Sequence, residues 1–471
     1  MPGKKKILFV SPEVQPFAGT GGLGEVAGSL PVALAAKGNF DVSVVMPLYS
    51  SVPDEYRQQM KFVKWFFVSL NWRHQYCGIF KIKKDGVTWY FLDNEYYFKR
   101  SGIYGYDDDA ERFAWFSKAV LDMMSQLDYY PEIVHANDWQ CALVPIYNRL
   151  IYGFGFKSVF TIHNVEYQGL FDMSLMRELF ALPDEAHDYV EWGGGLNLMK
   201  GAIEAADLVT TVSPTYACQL QSPEYGSGLD PIIRKNAMKM RGILNGISFT
   251  SYDPATDKWL AENFDAKDHS KKADDKAMIQ KVRGLRQDPD AMMILVISRL
   301  VYHKGMSIIQ GAMEDILHEN VQLVVLGVGD PGYEGYFRWL SDRFPEKVSA
   351  SITFDNAMSR RLYAGADVLL MPSISEPCGL SQMIASRYGT IPIVRETGGL
   401  KDSIKDCSLG DGNGFTFYGA DPGDLKNAVG RALNVYRRKD QWEALVDHAM
   451  SIDFSWKKSA SDYEDVYREL M

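Results

Sequence analysis

Cysteine is scarce in this chain. Five residues, Cys77, Cys141, Cys218, Cys378 and Cys407, are scattered over 471 positions and never spaced as Cys-x-x-Cys. Their odd number and scatter offer no disulfide framework, redox motif or zinc motif, and fit a reducing, cytoplasmic setting. Long apolar runs are also missing. None reaches the ~18 residues of a membrane span. The opening run Ile7-Leu8-Phe9-Val10 stops at Ser11-Pro12-Glu13, too short for the centre of a secretion signal. Positive charge is in deficit: a net charge of −10 argues against a nucleic-acid backbone as partner. No serine nucleophile elbow occurs, no His/Asp/Glu set has metal-ligand spacing, and there are no internal repeats.

What is present is a globular chain, 46% hydrophobic and 23% charged. Its length exceeds one ordinary core and predicts two large domains. Aromatics are abundant, with 26 Tyr and 10 Trp. Core packing accounts for most of them, with sugar-stacking surfaces as the sharper alternative. Short β-rich runs alternate with helical segments, which predicts parallel sheets with crossover helices. In the first half the strands are expected at Ile7–Val10, Val42–Pro47, Ile133–Ala136, Ser158–Ile162 and Leu208–Val212. An antiparallel insertion is expected over Val63–Leu70, Gly78–Lys83 and Thr88–Leu92. In the second half they are expected at Met292–Ile297, Gln322–Leu326, Ser351–Phe354, Val368–Met371 and Ile391–Arg395. The boundary falls near Asn245-Gly246, and Trp456–Met471 reads as an amphipathic helix.

Several motifs sit where strands end. Gly19-Thr20-Gly21-Gly22-Leu23-Gly24 matches GxGxxG, but eight residues, Ser11–Ala18, separate it from its strand. The nearest acid, Asp41, begins the second strand rather than ending it. Dinucleotide binding is therefore set aside. What remains is either a flexible turn or a glycine loop facing an anion at a helix start. Arg299 follows the strand Met292–Ile297, and Lys304 comes five residues later. Cations at a helix start oppose its dipole, which favours a phosphate-binding role over a stabilising one. Glu376 precedes Pro377, which is expected to open a helix to about Arg387. As a cap Glu376 would stabilise that helix; as a ligand it would contact sugar hydroxyls, with Gly379 and Leu380 offering amides. His163-Asn164 and Asp138-Trp139 each end a buried strand, and Glu13 follows the first. His163 is either a structural histidine or a group facing a ligand.

Taken together, these motifs closely resemble those of bacterial glycogen synthases and plant starch synthases. The likeness runs nearly end to end: Ser11–Glu13, Thr20–Leu23, His135–Trp139, Phe160–Asn164, Thr211–Pro214, Leu244–Gly246, Arg299 with Lys304, Glu376–Leu380 and Thr397–Leu400. The resemblance implies an α/β chain of two Rossmann-like, doubly wound parallel-sheet domains facing a deep cleft, the GT-B arrangement. Residues 1–245 would form the acceptor side and 246–455 the nucleotide-sugar side, with 456–471 crossing back to the first domain. It implies a retaining glucosyltransferase that elongates α-1,4-glucan from ADP-glucose or UDP-glucose, with no metal or other cofactor. Arg299 and Lys304 would neutralise the diphosphate, Glu376 would hold the donor sugar and His163 would position it. Gly21, Gly22, Phe354, Gly379, Leu380, Ser381, Thr397, Gly398 and Gly399 would meet the donor, Phe354 stacking on the base. Glu13, Asp138, Trp139, Asn164 and Asn245 would line the glucose and acceptor subsites. One departure stands out: Gly19 occupies the position of a family lysine expected near the donor phosphates. Glu25 stands where Asp is common. The alternatives are a related transferase with a small-sugar acceptor and a glucan-binding pseudoenzyme. Nothing in the sequence sets the oligomeric state.

Overall fold

A computed structural model describes residues 4–471. The described residues form two compact units, residues 4–245 with Trp456–Met471, and Gly246–Ser455.

The first unit is built on a nine-stranded sheet. Its strands are β1 (Lys5–Val10), β2 (Phe40–Pro47), β3 (Lys61–Leu70), β4 (Arg73–Lys84), β5 (Val87–Asp93), β6 (Ile133–Asn137), β7 (Lys157–Ile162), β11 (Leu208–Thr211) and β12 (Met240–Gly242). Between β7 and β11 a small sheet forms from β8 (Leu170–Phe171), β9 (Glu191–Trp192) and β10 (Gly195–Asn197). The large sheet runs β12-β11-β7-β6-β1-β2-β5-β4-β3. It is parallel from β12 to β5, and β4 and β3 extend it antiparallel. Ile7, Leu8 and Val10 of β1 are fully buried, as expected for a parallel strand covered on both faces. β1 lies between β2 and β6, so the winding direction reverses there. Open α/β sheets bind ligands at the carboxyl ends of strands flanking such a reversal.

The closing helix Trp456–Leu470 packs into this unit through Trp456, Ala460, Tyr463 and Tyr467. Tyr467 Oη meets His135 Nδ1 at 2.8 Å, beneath the sheet. Burial pushes His135 down to about 3, so this contact joins two neutral groups.

The second unit carries a six-stranded, all-parallel sheet: β13 (Met292–Ile297), β14 (Val321–Leu326), β15 (Val348–Ser351), β16 (Val368–Met371), β17 (Ile391–Arg395) and β18 (Phe415–Phe417). The order β15-β14-β13-β16-β17-β18 places the reversal between β13 and β16.

Two expectations need correction. The strand expected at Ser351–Phe354 lies at Val348–Ser351, because Ser351 already pairs with Leu326, the last residue of β14. Asp355 then caps the next helix. The helix expected from Pro377 begins at Ser381. The carbonyls of Glu376 and Pro377 accept from Gly399 N–H instead, and Gly379 turns at φ +71. Among the described residues no helix is long and apolar enough to cross a membrane.

Candidate active site

In the first unit, the ends of β1, β6 and β7 bring three candidate side chains together. Glu13 is buried, and its Oε2 accepts from the Thr20 hydroxyl at 2.9 Å and from the Thr20 amide. Burial outweighs those hydrogen bonds and holds the carboxyl above its usual range. The Thr20 contact ties the glycine loop to the end of β1.

The loop glycines fall into two kinds. Gly28 has no room for a side chain, since a Cβ there would overlap Gln15 O at 2.0 Å. Gly21 and Gly22 are exposed, with nothing within 4 Å of an added Cβ. Packing explains Gly28; at Gly21 and Gly22 the open space admits a ligand close to the backbone. Gly19 lies outside the left-handed region, and the nearest atom to a Cβ there would be Gln15 Nε2, at 2.9 Å.

Asp138 sits at φ 55, ψ 177, a conformation almost confined to glycine. Its amide donates to Thr161 O at 2.9 Å, and its Oδ1 accepts from the His163 amide at 2.7 Å. Loss of solvent, opposed by the His163 and Asn164 amides, pushes its carboxyl up to about 7. Such strain at a half-buried carboxylate marks a site rather than a turn.

His163 is placed by a residue that the sequence reading passed over. Asn137 Nδ2 donates to the carbonyls of Val10 (3.1 Å) and His135 (3.4 Å), which fixes its Oδ1 as an acceptor. His163 Nε2 lies 2.9 Å from that oxygen, so Nε2 carries the proton and Nδ1 is left as an acceptor. Burial pushes this imidazole down to about 3, so it is neutral at physiological pH. The available signal was alternation: Asn137 and Asp138 are adjacent at a strand end.

The remaining first-unit candidates differ in exposure. Asn164 Oδ1 accepts from Glu166 N–H at 3.0 Å, forming a local turn. Trp139 is half-buried against Phe113 and Phe171, with centroids at 5.5 and 5.7 Å, so its ring is largely packed. Asn245 is buried, and its Oδ1 has no partner among the described residues.

In the second unit, the reversal point brings Lys304 and Glu376 together. Lys304 Nζ donates to Glu376 Oε1 at 2.8 Å and Oε2 at 2.7 Å, and Ser373 Oγ donates to Oε2 at 3.0 Å. Glu376 is therefore an ion-pair partner and not a helix cap. The His303 carbonyl accepts from Ile374 N–H (2.8 Å) and Ser375 N–H (3.3 Å), locking the two loops together. Arg299 is exposed, its Nη2 3.4 Å from His303 Nε2.

Glycines clamp this loop from both sides. A Cβ on Gly305 would overlap Pro372 O, one on Gly398 the Glu376 carbonyl, and one on Gly399 the Cys378 carbonyl, at 2.0, 2.0 and 2.2 Å. Thr397, Gly398 and Gly399 are buried, so these glycines support the Glu376 turn directly. Arg395, another residue missed in the sequence, donates to Ile374 O at 3.0 Å and steadies the same loop. Among the described residues nothing accepts from the Gly379 and Leu380 amides, which precede the helix opening at Ser381. Phe354 stands beyond β15, 88% exposed. No group of three or more His, Cys, Asp or Glu among the described residues could hold a metal ion.

Comparisons with known proteins identify the family. Residues 6–235 match the family described as "Starch synthase catalytic domain", and residues 279–444 match "Glycosyl transferases group 1". The chain is 46% identical to a glycogen synthase of Clostridium beijerinckii over 99% of each chain. It is 44% identical to a glycogen synthase of Lactobacillus acidophilus, over 99% of this chain and 100% of that one. The solved catalytic domain of starch synthase IV from Arabidopsis thaliana, bound to ADP and acarbose, superposes with a TM-score of 0.92 at 35% identity, covering 99% of each chain. A sucrose-phosphate synthase from Thermosynechococcus elongatus, at 19% identity and a TM-score of 0.62, shares the fold alone. The chain belongs to the glycogen synthase and starch synthase family, GT-B glucosyltransferases that elongate glucan.

Proposed function

We propose that this enzyme transfers glucose from ADP-glucose to the 4-hydroxyl at the non-reducing end of an α-1,4-glucan, with retention and in the cytoplasm. The observation that carries the residue assignment is the Lys304–Glu376–Ser373 cluster beside Arg299 at the reversal point of the second sheet. Adenine is favoured over uracil because the starch synthase IV structure holds ADP.

In this reading Arg299 and Lys304 neutralise the leaving diphosphate, and the Gly379 and Leu380 amides assist. Glu376 keeps Lys304 in place and accepts from a glucose hydroxyl. Phe354 meets the base. Gly21 and Gly22 let the donor approach the backbone of the first unit. His163 Nδ1 accepts from a second hydroxyl of the donor glucose. Glu13, Asp138, Asn164 and Asn245 line the glucose and acceptor positions, with Trp139 as part of their packed wall. The C1–O bond to the diphosphate breaks, and a C1–O4 bond forms on the same face. The acceptor's proton passes to a departing phosphate oxygen. The protein's work is positioning and charge stabilisation, and the residues named need no metal for it.

Turnover measured with ADP-glucose and UDP-glucose side by side, on maltooligosaccharides of increasing length, tests the reading. The expected result is faster transfer from ADP-glucose and a rate that rises with acceptor length. Equal use of UDP-glucose removes the adenine preference. A rate independent of length moves the acceptor to a small sugar. Glucan binding with no release of either nucleotide identifies a pseudoenzyme.

A further inference from the structure

Arg299 and Lys304 have roles in the proposed reaction, and His303 lies between them in the chain, in the short turn Tyr302–Lys304. The backbone of His303 is fixed from both sides. Its carbonyl accepts from Ile374 N–H at 2.8 Å and Ser375 N–H at 3.3 Å. Lys304 N–H closes onto Val301 O at 3.1 Å, and Gly305 N–H onto Tyr302 O at 2.9 Å. Gly305 then turns at φ +75, pressed against Pro372 O. The half-buried imidazole is thereby delivered to one place, with Nε2 3.4 Å from Arg299 Nη2.

A guanidinium has only N–H donors and stays charged. Nε2 is therefore the acceptor, and the imidazole is neutral with its proton on Nδ1. Two neighbouring cations, Arg299 and Lys304, favour this neutral form. The other charged groups of the cluster are Glu376, which accepts from Lys304 at 2.8 and 2.7 Å, and Arg395, buried on the Ile374 carbonyl. Lys304 and Glu376 cancel each other. That leaves Arg299 as the exposed charge against the two negative charges of a diphosphate ester.

We propose that His303 is a third diphosphate-binding group, which releases Arg299 and takes up a proton as the nucleotide sugar binds. Histidine is the side chain that changes charge near neutral pH. Negative charge arriving at Nε2 favours the protonated form, while Arg299 turns from Nε2 to a phosphate oxygen. The proton comes from solvent, sits on Nε2 and gives the phosphates a new N–H donor. As the C1–O bond breaks, charge on the diphosphate grows, so this donor serves the leaving group more than the intact donor sugar. The proton returns to solvent when the nucleotide departs. Glutamine would suffice to hold Arg299, since its carbonyl also accepts; histidine adds the proton.

The inference rests on the proposed function, and calorimetry separates the two. ADP-glucose, or UDP-glucose if that is the donor bound, is titrated into the protein without acceptor at pH 7, in two buffers of different ionisation enthalpy. The phosphates of a nucleotide sugar hold no proton near neutrality, so any uptake is the protein's own. Wild type is expected to take up more than about half a proton per donor bound, as a mostly neutral imidazole becomes mostly protonated. His303→Gln keeps an acceptor for Arg299. It should keep the melting temperature, lose the uptake and bind about three-fold or more weakly, the linkage that such uptake carries. Undiminished uptake in His303→Gln, or none in wild type that binds, overturns the proposal. Nitrogen NMR of protein labelled at its eight histidines reads the same step without a variant. One imidazole should pass to the doubly protonated form as donor is added, and no change overturns the proposal. If wild type binds neither ADP-glucose nor UDP-glucose, the diphosphate reading fails and this inference with it.

Discussion

The two loop clusters solve different problems with different means. In the first unit the groups are neutral or nearly so: burial raises Asp138 to about 7 and lowers His163 to about 3. Its strain is local, held in the backbone of Asp138. In the second unit Lys304 and Glu376 form an ion pair, and the loop is held by glycines against neighbouring carbonyls. A neutral, desolvated cluster suits hydroxyls and protons. A charged, clamped cluster suits a leaving anion. The contrast predicts that substitutions in the second unit act on charge and rate, and those in the first on pH dependence.

The largest effect is expected at the ion pair. Lys304→Met removes the cation proposed to face the leaving group and leaves Glu376 buried without its partner. Turnover should fall about 10²–10³-fold, and stability should fall by a few kcal/mol, on the order seen when one partner of a buried pair is removed. Adding Glu376→Gln should restore the melting temperature and leave the rate low. Recovery of both would mean that the pair is only structural.

The next effect separates two windows of pH. A carboxyl raised to about 7 when folded contributes stability present below its unfolded pKa and lost as pH rises toward 7. Asp138→Asn should therefore gain melting temperature relative to wild type between about pH 4 and pH 7. His163, lowered to about 3, works in the opposite sense, giving stability present above about pH 6.5 and lost as pH falls. His163→Gln should soften acid unfolding and leave the neutral range unchanged. A flat Asp138→Asn difference across this range would contradict the desolvated carboxylate.

The smallest effect is at Gly19. Its backbone lies outside the left-handed region, and the nearest neighbour of a side chain there is the flexible Gln15. Gly19→Lys should therefore tighten ADP binding at unchanged thermal stability, by up to about 1.5–3 kcal/mol before ordering costs. Calorimetric titration checks this. Equal or weaker binding would show that the loop already has its cation.

Much of this was legible in the sequence. Parallel strands announce themselves as continuous apolar runs, and the expected spans at Met292–Ile297, Val368–Met371 and Ile391–Arg395 coincide with β13, β16 and β17. The short β12 and β18 and the β8–β10 sheet escaped, because two or three residues carry no period. Pro377 was misread because proline favours a first helical turn, while the tertiary contact with Gly399 claims the preceding carbonyls. Glu376 and Lys304 were both singled out, but their pairing was not visible, since 72 residues separate them. Asn137 and Ser373 were missed because their work is to orient a neighbour, which leaves no charge pattern.

Under the proposed function, exposed charge in the second unit acts on the leaving group. Arg299 offers the cleanest test, because it is exposed and has no carboxylate ion-pair partner closer than 4 Å among the described residues. Transfer of radiolabelled glucose from ADP-glucose into glycogen should fall about 10²–10³-fold in Arg299→Ala, with an unchanged melting temperature. Full turnover in that variant would contradict the account.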